Sequence, residues 1–270
     1  MGLCHSVDDD QNSKKAKNEQ VSFPKKQVDR EMLVQTQKKD EEIRRKPGDI
    51  GGNQFCVDEL ENCKVIVNDI CDSMTIDRCT NCELILSAVR GSVFIRDCVD
   101  SKFQIVCGQF RCRSCTNCDF FIHVRSGPVV ESSKNIRIGC STLFYPELID
   151  QMNQLKLDPL LNCWTDIHDF TPDEGNFSYV SGQMNQLDIM DTSGKCLPFT
   201  HKKGETRGMS VFTAKIPENQ YQQLIEMSYK AEIHMLDVKK EGNDLICKFE
   251  SSSQDELSDQ IGTLSPIFID

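Results

Sequence analysis

The stretch Cys79-Thr80-Asn81-Cys82-Glu83-Leu84-Ile85-Leu86 returns further along the chain as Cys115-Thr116-Asn117-Cys118-Asp119-Phe120-Phe121-Ile122. Recurrence at a fixed interval marks a repeat architecture. Working outward, Cys63, Cys82, Ser101, Cys118 and Asn135 fall in one column, at steps of 19, 19, 17 and 17 residues. Three residues before each stands Leu60, Cys79, Cys98, Cys115 and Ser132. After each column comes a short apolar run: Val65–Val67, Leu84–Leu86, Phe103–Ile105, Phe120–Ile122 and Ile136–Ile138. Before each lies another: Phe55–Val57, Met74–Ile76, Val93–Ile95, Phe110–Cys112 and Val129–Val130. Two short strands and tight turns per coil predict a parallel β-helix, whose coils bury by stacking what none can bury alone. Leucine-rich repeats are the rival, but their Leu-x-x-Leu-x-Leu frame is missing.

The same columns bear on the fifteen cysteines. Cys79/Cys82 and Cys115/Cys118 have the spacing of zinc knuckles. The equivalent pairs elsewhere are Leu60/Cys63, Cys98/Ser101 and Ser132/Asn135. An inward turn position accepts such a mixture, whereas a tetrahedral zinc site needs its ligands. A ladder of reduced thiols with no metal is the expectation.

The 270 residues allow one sizeable core and a smaller second unit, and the net charge of −11 argues against nucleic acid as the partner of the whole protein. No apolar run reaches the ~20 residues of a membrane span, and no secretory signal is visible, so a cytosolic protein is expected. The opening Met1-Gly2-Leu3-Cys4-His5-Ser6 fits N-myristoylation at Gly2. One myristoyl chain binds membranes only marginally, with K of about 10⁴ M⁻¹. Palmitoylation of Cys4 supplies a second anchor, and Lys14, Lys15, Lys17, Lys25 and Lys26 add attraction to anionic lipid. Residues 1–50 read as an acylated, solvated, disordered tail, with a fraying helix near Val28–Arg45.

Strand alternation points Phe110 and Cys112 inward and sets Gln109, Arg111 and Arg113 on the outer face. Arg111 falls beside Phe94 of the preceding coil, and Glu131 near the same patch one coil on. An outward arginine pair is either solvated surface or a guanidinium that enters a partner's nucleotide site, where it neutralises charge developing on a γ-phosphate.

Residues Gln54–Val180 resemble the tubulin-cofactor-C domain family, in its retinitis-pigmentosa-two (XRP-type) branch. The resemblance rests on Thr75-Ile76-Asp77 with Cys79–Cys82, Gly91-Ser92-Val93-Phe94, Gln109-Phe110-Arg111-Cys112-Arg113-Ser114-Cys115, and Glu131-Ser132-Ser133 with Asn135-Ile136. It continues through Tyr145-Pro146-Glu147-Leu148 and Trp164–Pro172, and the Met-Gly-x-Cys start matches as well. It implies a mainly β protein: a right-handed parallel β-helix of cofactor-C type, then a small α+β domain. It further implies a regulator, not itself an enzyme, that stimulates GTP hydrolysis by an Arf-like small GTPase in the ciliary traffic of lipidated proteins. Arg111 falls on the family's arginine finger and Gln109 on its assisting glutamine. Glu131 and Phe170 fall on partner contacts, and Arg113 on a supporting charge. The protein would need no cofactor of its own, with GTP and Mg²⁺ bound by the partner. It would sit at the cytoplasmic face of the plasma or ciliary membrane or the basal-body region. A non-catalytic effector or scaffold, and a tubulin-folding cofactor with tubulin as partner, are the alternatives.

The expected division is a tail to 50, the β-helix over 51–180, a loose linker over 181–208 and a reduced ferredoxin-like α+β unit over 209–270. In the last, Met209–Ile216, Ile233–Lys239 and Leu245–Glu250 read as strands, the latter two a hairpin around Glu241-Gly242-Asn243. Glu218–Ala231 and Asp255–Leu264 read as helices. His234, the one histidine of this unit, is expected to be structural, so no kinase activity is expected.

Overall fold

The computed structural model describes residues 25–173, 175–180, 196–204, 208–230 and 232–269. Gly2 and Cys4 lie outside the described residues, as do Lys14, Lys15 and Lys17. Two parallel ladders run the length of a β-helix. The first stacks β1 (Val34–Lys39), β3 (Phe55–Glu61), β5 (Met74–Asp77) and the second halves of β6 (Glu83–Arg96) and β7 (Lys102–Arg113), then β9 (Val129–Glu131) and β11 (His168–Asp169). The second stacks β2 (Glu42–Arg45), β4 (Lys64–Val67), the first halves of β6 and β7, β8 (Asp119–Val124), β10 (Ile136–Cys140) and β12 (Phe177–Tyr179). Inside, like stacks on like: Phe103 and Phe120 lie with ring centroids 4.8 Å apart, and Phe110 follows at 5.0 Å from Phe120.

The turn between the ladders explains the repeat. Asp40, Asn62, Asn81, Asp100, Asn117 and Asn135 all adopt left-handed backbone, with φ between 51° and 57°. Asn and Asp tolerate that region best among residues with a Cβ. Their side chains also form an exposed ladder, Asn81 to Asn62 at 2.9 Å and Asn135 to Asn117 at 2.8 Å. The inward neighbours follow a second rule. Cys63, Cys82, Cys98 and Cys118 each donate a thiol proton to the carbonyl two residues earlier, as Ser101 and Ser133 do with hydroxyls at 2.8 Å. Cys and Ser therefore interchange because both fill a small inward site and satisfy the same carbonyl. Burial pushes the Cys71 and Cys112 thiols well up, and that of Cys118 up to about 12.

One coil departs from the expected columns. Thr116 pairs with Lys134, so Ser133 rather than Ser132 continues the Cys79/Cys98/Cys115 column, and Ile136 rather than Asn135 lies inside. The left-handed position claims Asn135, and the coil is one residue longer than its neighbour.

The tail expected up to residue 50 is corrected from residue 25 onward. No fraying helix occupies Val28–Arg45; a single turn, α1 (Arg30–Leu33), precedes β1 and β2, which form the first coil. This coil caps the open end, and a terminal repeat must be polar on its outer side. Only Gln35, Ile43 and Ile50 turn fully inward, and the Gln35 amide is satisfied by the Glu31 and Val34 carbonyls. Lys25, expected to face lipid, is paired with Asp72 at 3.0 Å.

Outside the solenoid, α2 (Leu148–Gln154) packs Leu148 and Met152 against Ile85, Ala88 and Val106. The linker expected over 181–208 is corrected where it is described. Cys196, Leu197 and Phe199 are buried, and Thr200 accepts from Trp164 Nε1 at 3.0 Å. The final unit contains β13 (Ser210–Pro217), α3 (Tyr221–Tyr229), β14 (His234–Glu241), β15 (Asp244–Ser251), α4 (Gln254–Ile261) and β16 (Ile267–Ile269). Its sheet order is β14-β15-β13-β16, antiparallel throughout, the split βαβ arrangement of ferredoxin-like units. Gly242 turns the β14–β15 hairpin at φ +64°, and the Ser253 side chain caps α4. The edge strand β16 was not foreseen; its three residues are too few to show alternation. His234 stacks on His201, with centroids 4.4 Å apart, in the seam beside β14.

Candidate functional site

Three outward columns of the first ladder meet at β7. Phe94, Arg111 and Val129 form the middle one, in direct register. Ser92 and Gln109 lie on one side. Arg96, Arg113 and Glu131 lie on the other, and Phe170 follows beside Glu131, its N–H donating to the Val130 carbonyl at 3.0 Å. Val93, Ile95, Phe110 and Cys112 are buried between them, so alternation holds without a bulge from Val93 to Arg96.

The Arg111 side chain is 43% exposed. Its Nη2 donates to Glu131 Oε2, and its Cζ stands 5.2 Å from the Phe94 ring centroid. Its Nε is buried without a hydrogen-bond partner among the described residues. Gln109 and Arg113 are exposed on either side. Phe170 is 64% exposed. A shallow depression of about 410 Å³ opens beside Arg111, lined by Ser92, Phe94, Gln109, Ser126, Gly127 and Val129. A Cβ at Gly127 would stand 2.4 Å from the Asp166 carbonyl and 2.8 Å from His168 Nε2, so only glycine lets the last coil close on this wall.

The five wall residues singled out from the sequence thus come together on one face, while Gly2 and Cys4 lie outside the described residues. The sequence reading did not find Ser92, Ser126 and Gly127 as lining, nor the Arg111–Glu131 ion pair. The signal for Gly127 was a Gly-Pro pair directly before the apolar Val129-Val130, opposite Gln109 in the coil register. Chemically, the patch offers a planar cation held by one carboxylate and one ring, with a neutral amide donor and a second cation beside it. Such a set binds phosphoryl oxygens or carboxylates. Among the described residues, no group of three or more His, Cys, Asp or Glu is placed to hold a metal ion.

Residues 52–170 match the family described as tubulin binding cofactor C. Protein XRP2 of Homo sapiens is 40% identical over 147 residues, which cover 54% of this chain and 40% of that protein. Protein XRP2 of Danio rerio is 39% identical over 175 residues, covering 64% and 45%. This chain therefore spans less than half the length of these curated relatives. Among solved structures, tubulin binding cofactor C from Leishmania major superposes with a TM-score of 0.39 at 14% identity, covering 55% of this chain and 89% of that one. The outer wall that carries Arg111 lies within the stretch 52–170 that matches the tubulin binding cofactor C model.

Proposed function

We propose that this protein activates an Arf-like small GTPase by supplying Arg111 in trans. The observation that carries the reading is the state of Arg111. Its guanidinium lies on the outer wall, half exposed, held by a single carboxylate and an aromatic face. An incoming γ-phosphate is the stronger anion and displaces Glu131 from the fork. Charge spreading over the γ-phosphate oxygens and the leaving oxygen is then neutralised without waiting for solvent to reorganise. Gln109 assists at the same phosphate edge. Glu131, once released, and exposed Phe170 meet the partner's surface, with Arg113 as a supporting charge. GTP and Mg²⁺ belong to the partner, and the chain brings no cofactor.

Acylation at Gly2 and Cys4 would hold the protein at the cytoplasmic face of a plasma or ciliary membrane, where lipidated cargo is handed over. The test is single-turnover GTP hydrolysis by an Arf-like GTPase with and without this protein. An arginine supplied in trans is worth about 10³–10⁵ in rate. Arg111→Ala should abolish the stimulation while leaving the complex intact, and Arg111→Lys should recover little of it, since the planar fork is lost. Stimulation by Arg111→Ala equal to that of the unaltered protein refutes the proposal. A second reading, tubulin folding, is favoured by the name of the matching family and by the names of two more distant relatives, a tubulin-specific chaperone C and a tubulin-folding cofactor C. It predicts a pull-down of tubulin that Arg111→Ala and Gly2→Ala both leave unchanged.

A further inference from the structure

Two guanidinium groups approach the Phe94 ring. Arg96 Cζ lies 5.1 Å from its centroid and Arg111 Cζ 5.2 Å. Phe94 is on the outer wall, half-buried, with buried Val93 and Ile95 on either side in sequence. It contributes nothing to the interior. The two arginines are held very differently. Arg96 is fixed by a two-point fork on Asp77, Nε to Oδ1 at 2.6 Å and Nη2 to Oδ2 at 2.5 Å. Arg111 has one carboxylate contact at its tip and no hydrogen bond at its buried Nε among the described residues.

We infer that Phe94 is a positioning residue for Arg111: the ring is the platform on which the guanidinium pivots from Glu131 to a phosphoryl oxygen. This rests on the reading of Arg111 given above. A ring face attracts a cation without fixing its in-plane direction, because the attraction comes from the quadrupole rather than from a lone pair. A hydrogen bond at Nε would have to break or bend when the fork turned. The ring lets the fork turn and keeps it at one height above the wall. Arg96, locked to Asp77, places a second charge at the same ring, and that charge is held in place. Arg111 approaches in register from the next coil.

The experiment measures single-turnover GTP hydrolysis over a range of concentrations of the full chain. A panel of Arf-like GTPases is loaded with radiolabelled GTP and Mg²⁺, and the member most stimulated by the unaltered chain is used throughout. Phe94→Leu keeps apolar volume and removes the π face. A cation–π contact of this kind corresponds to a loss of about 5- to 30-fold in maximal rate. The half-saturating concentration should stay within about twofold, since the partner's contacts remain. Phe94→Trp should restore the rate, because the indole face is the stronger cation acceptor. Phe94→Leu at the full rate overturns the inference while leaving the role of Arg111 standing. So does a loss that Phe94→Trp fails to restore and that tracks a lowered melting temperature. An unaltered chain that stimulates no member of the panel overturns the Arg111 reading, and the pivot falls with it.

Discussion

His123 makes the stability of this protein sensitive to acid. It lies on β8, 3% exposed, with Nε2 3.2 Å from the Asp158 carbonyl oxygen and Nδ1 without a hydrogen-bond partner among the described residues. Burial lowers its pKa from 6.5 to about 4, against a small opposing pull from Asp158. The folded state thus holds His123 neutral where the unfolded chain would already bind a proton. Stability from this group is fully present above pH 6.5. It is lost as the pH falls towards 4, and below that both states are protonated and the loss levels off. Moving the pKa from 6.5 to about 4 corresponds to about 3 kcal/mol over the full window, of which about 2 kcal/mol is lost between pH 7 and pH 5. That is a large share of a typical total of about 5–15 kcal/mol. The assay is urea unfolding at pH 7.0 and pH 5.0 for the unaltered protein and for His123→Gln, which keeps a donor for the Asp158 carbonyl. Comparing the pH dependence of the two cancels the carboxylates common to both. The unaltered protein should lose about 2 kcal/mol more than the variant between the two pH values. Equal losses would refute the argument, and would mean that the imidazole finds solvent or a partner when it is charged.

A Cβ at Gly108 would stand 2.4 Å from the Arg90 carbonyl and 3.0 Å from that of Gly91, so Gly108→Ala should destabilise the β6–β7 contact by about 1–3 kcal/mol, read by thermal unfolding. Asn81, at φ 52°, should cost about 1–2 kcal/mol when changed to Ala, and less when changed to Gly, because the left-handed backbone penalises a Cβ. Cys82→Ser should be better tolerated than Cys82→Val, since the hydroxyl can donate to the Thr80 carbonyl and valine cannot; urea midpoints decide. Gly2→Ala should shift the protein from membrane to soluble fractions on flotation, and unchanged flotation would remove acylation as the anchor.

The periodicity alone was enough for the solenoid, because each coil repeats the same small set of demands: an Asn or Asp where the backbone is left-handed, a thiol or hydroxyl facing in, and apolar residues at alternate positions. It misplaced one coil, where Ser132-Ser133 and Asn135-Ile136 fit the expected step about equally well until pairing with β7 and β8 chose between them. It misread Val34–Arg45 because a capping coil is polar by necessity, and composition cannot separate a polar strand from a solvated tail. It misread the stretch around Cys196–Thr200 for a similar reason: that segment has no period of its own and is ordered by Trp164, Tyr221 and Tyr229, which are far away in sequence.

At the wall, alternation settled which way Arg111, Gln109 and Arg113 point, since a strand turns successive side chains to opposite faces. Only tertiary packing decided what meets them there. The ion pair with Glu131, the approach of Arg111 to the Phe94 ring and the closure over Gly127 join residues about one or two coils apart. Their distances depend on the coil lengths between them and on the side-chain conformations that neighbouring coils allow. A sequence carries the local rule of each coil, and the sum of those rules becomes a site only when the coils stack.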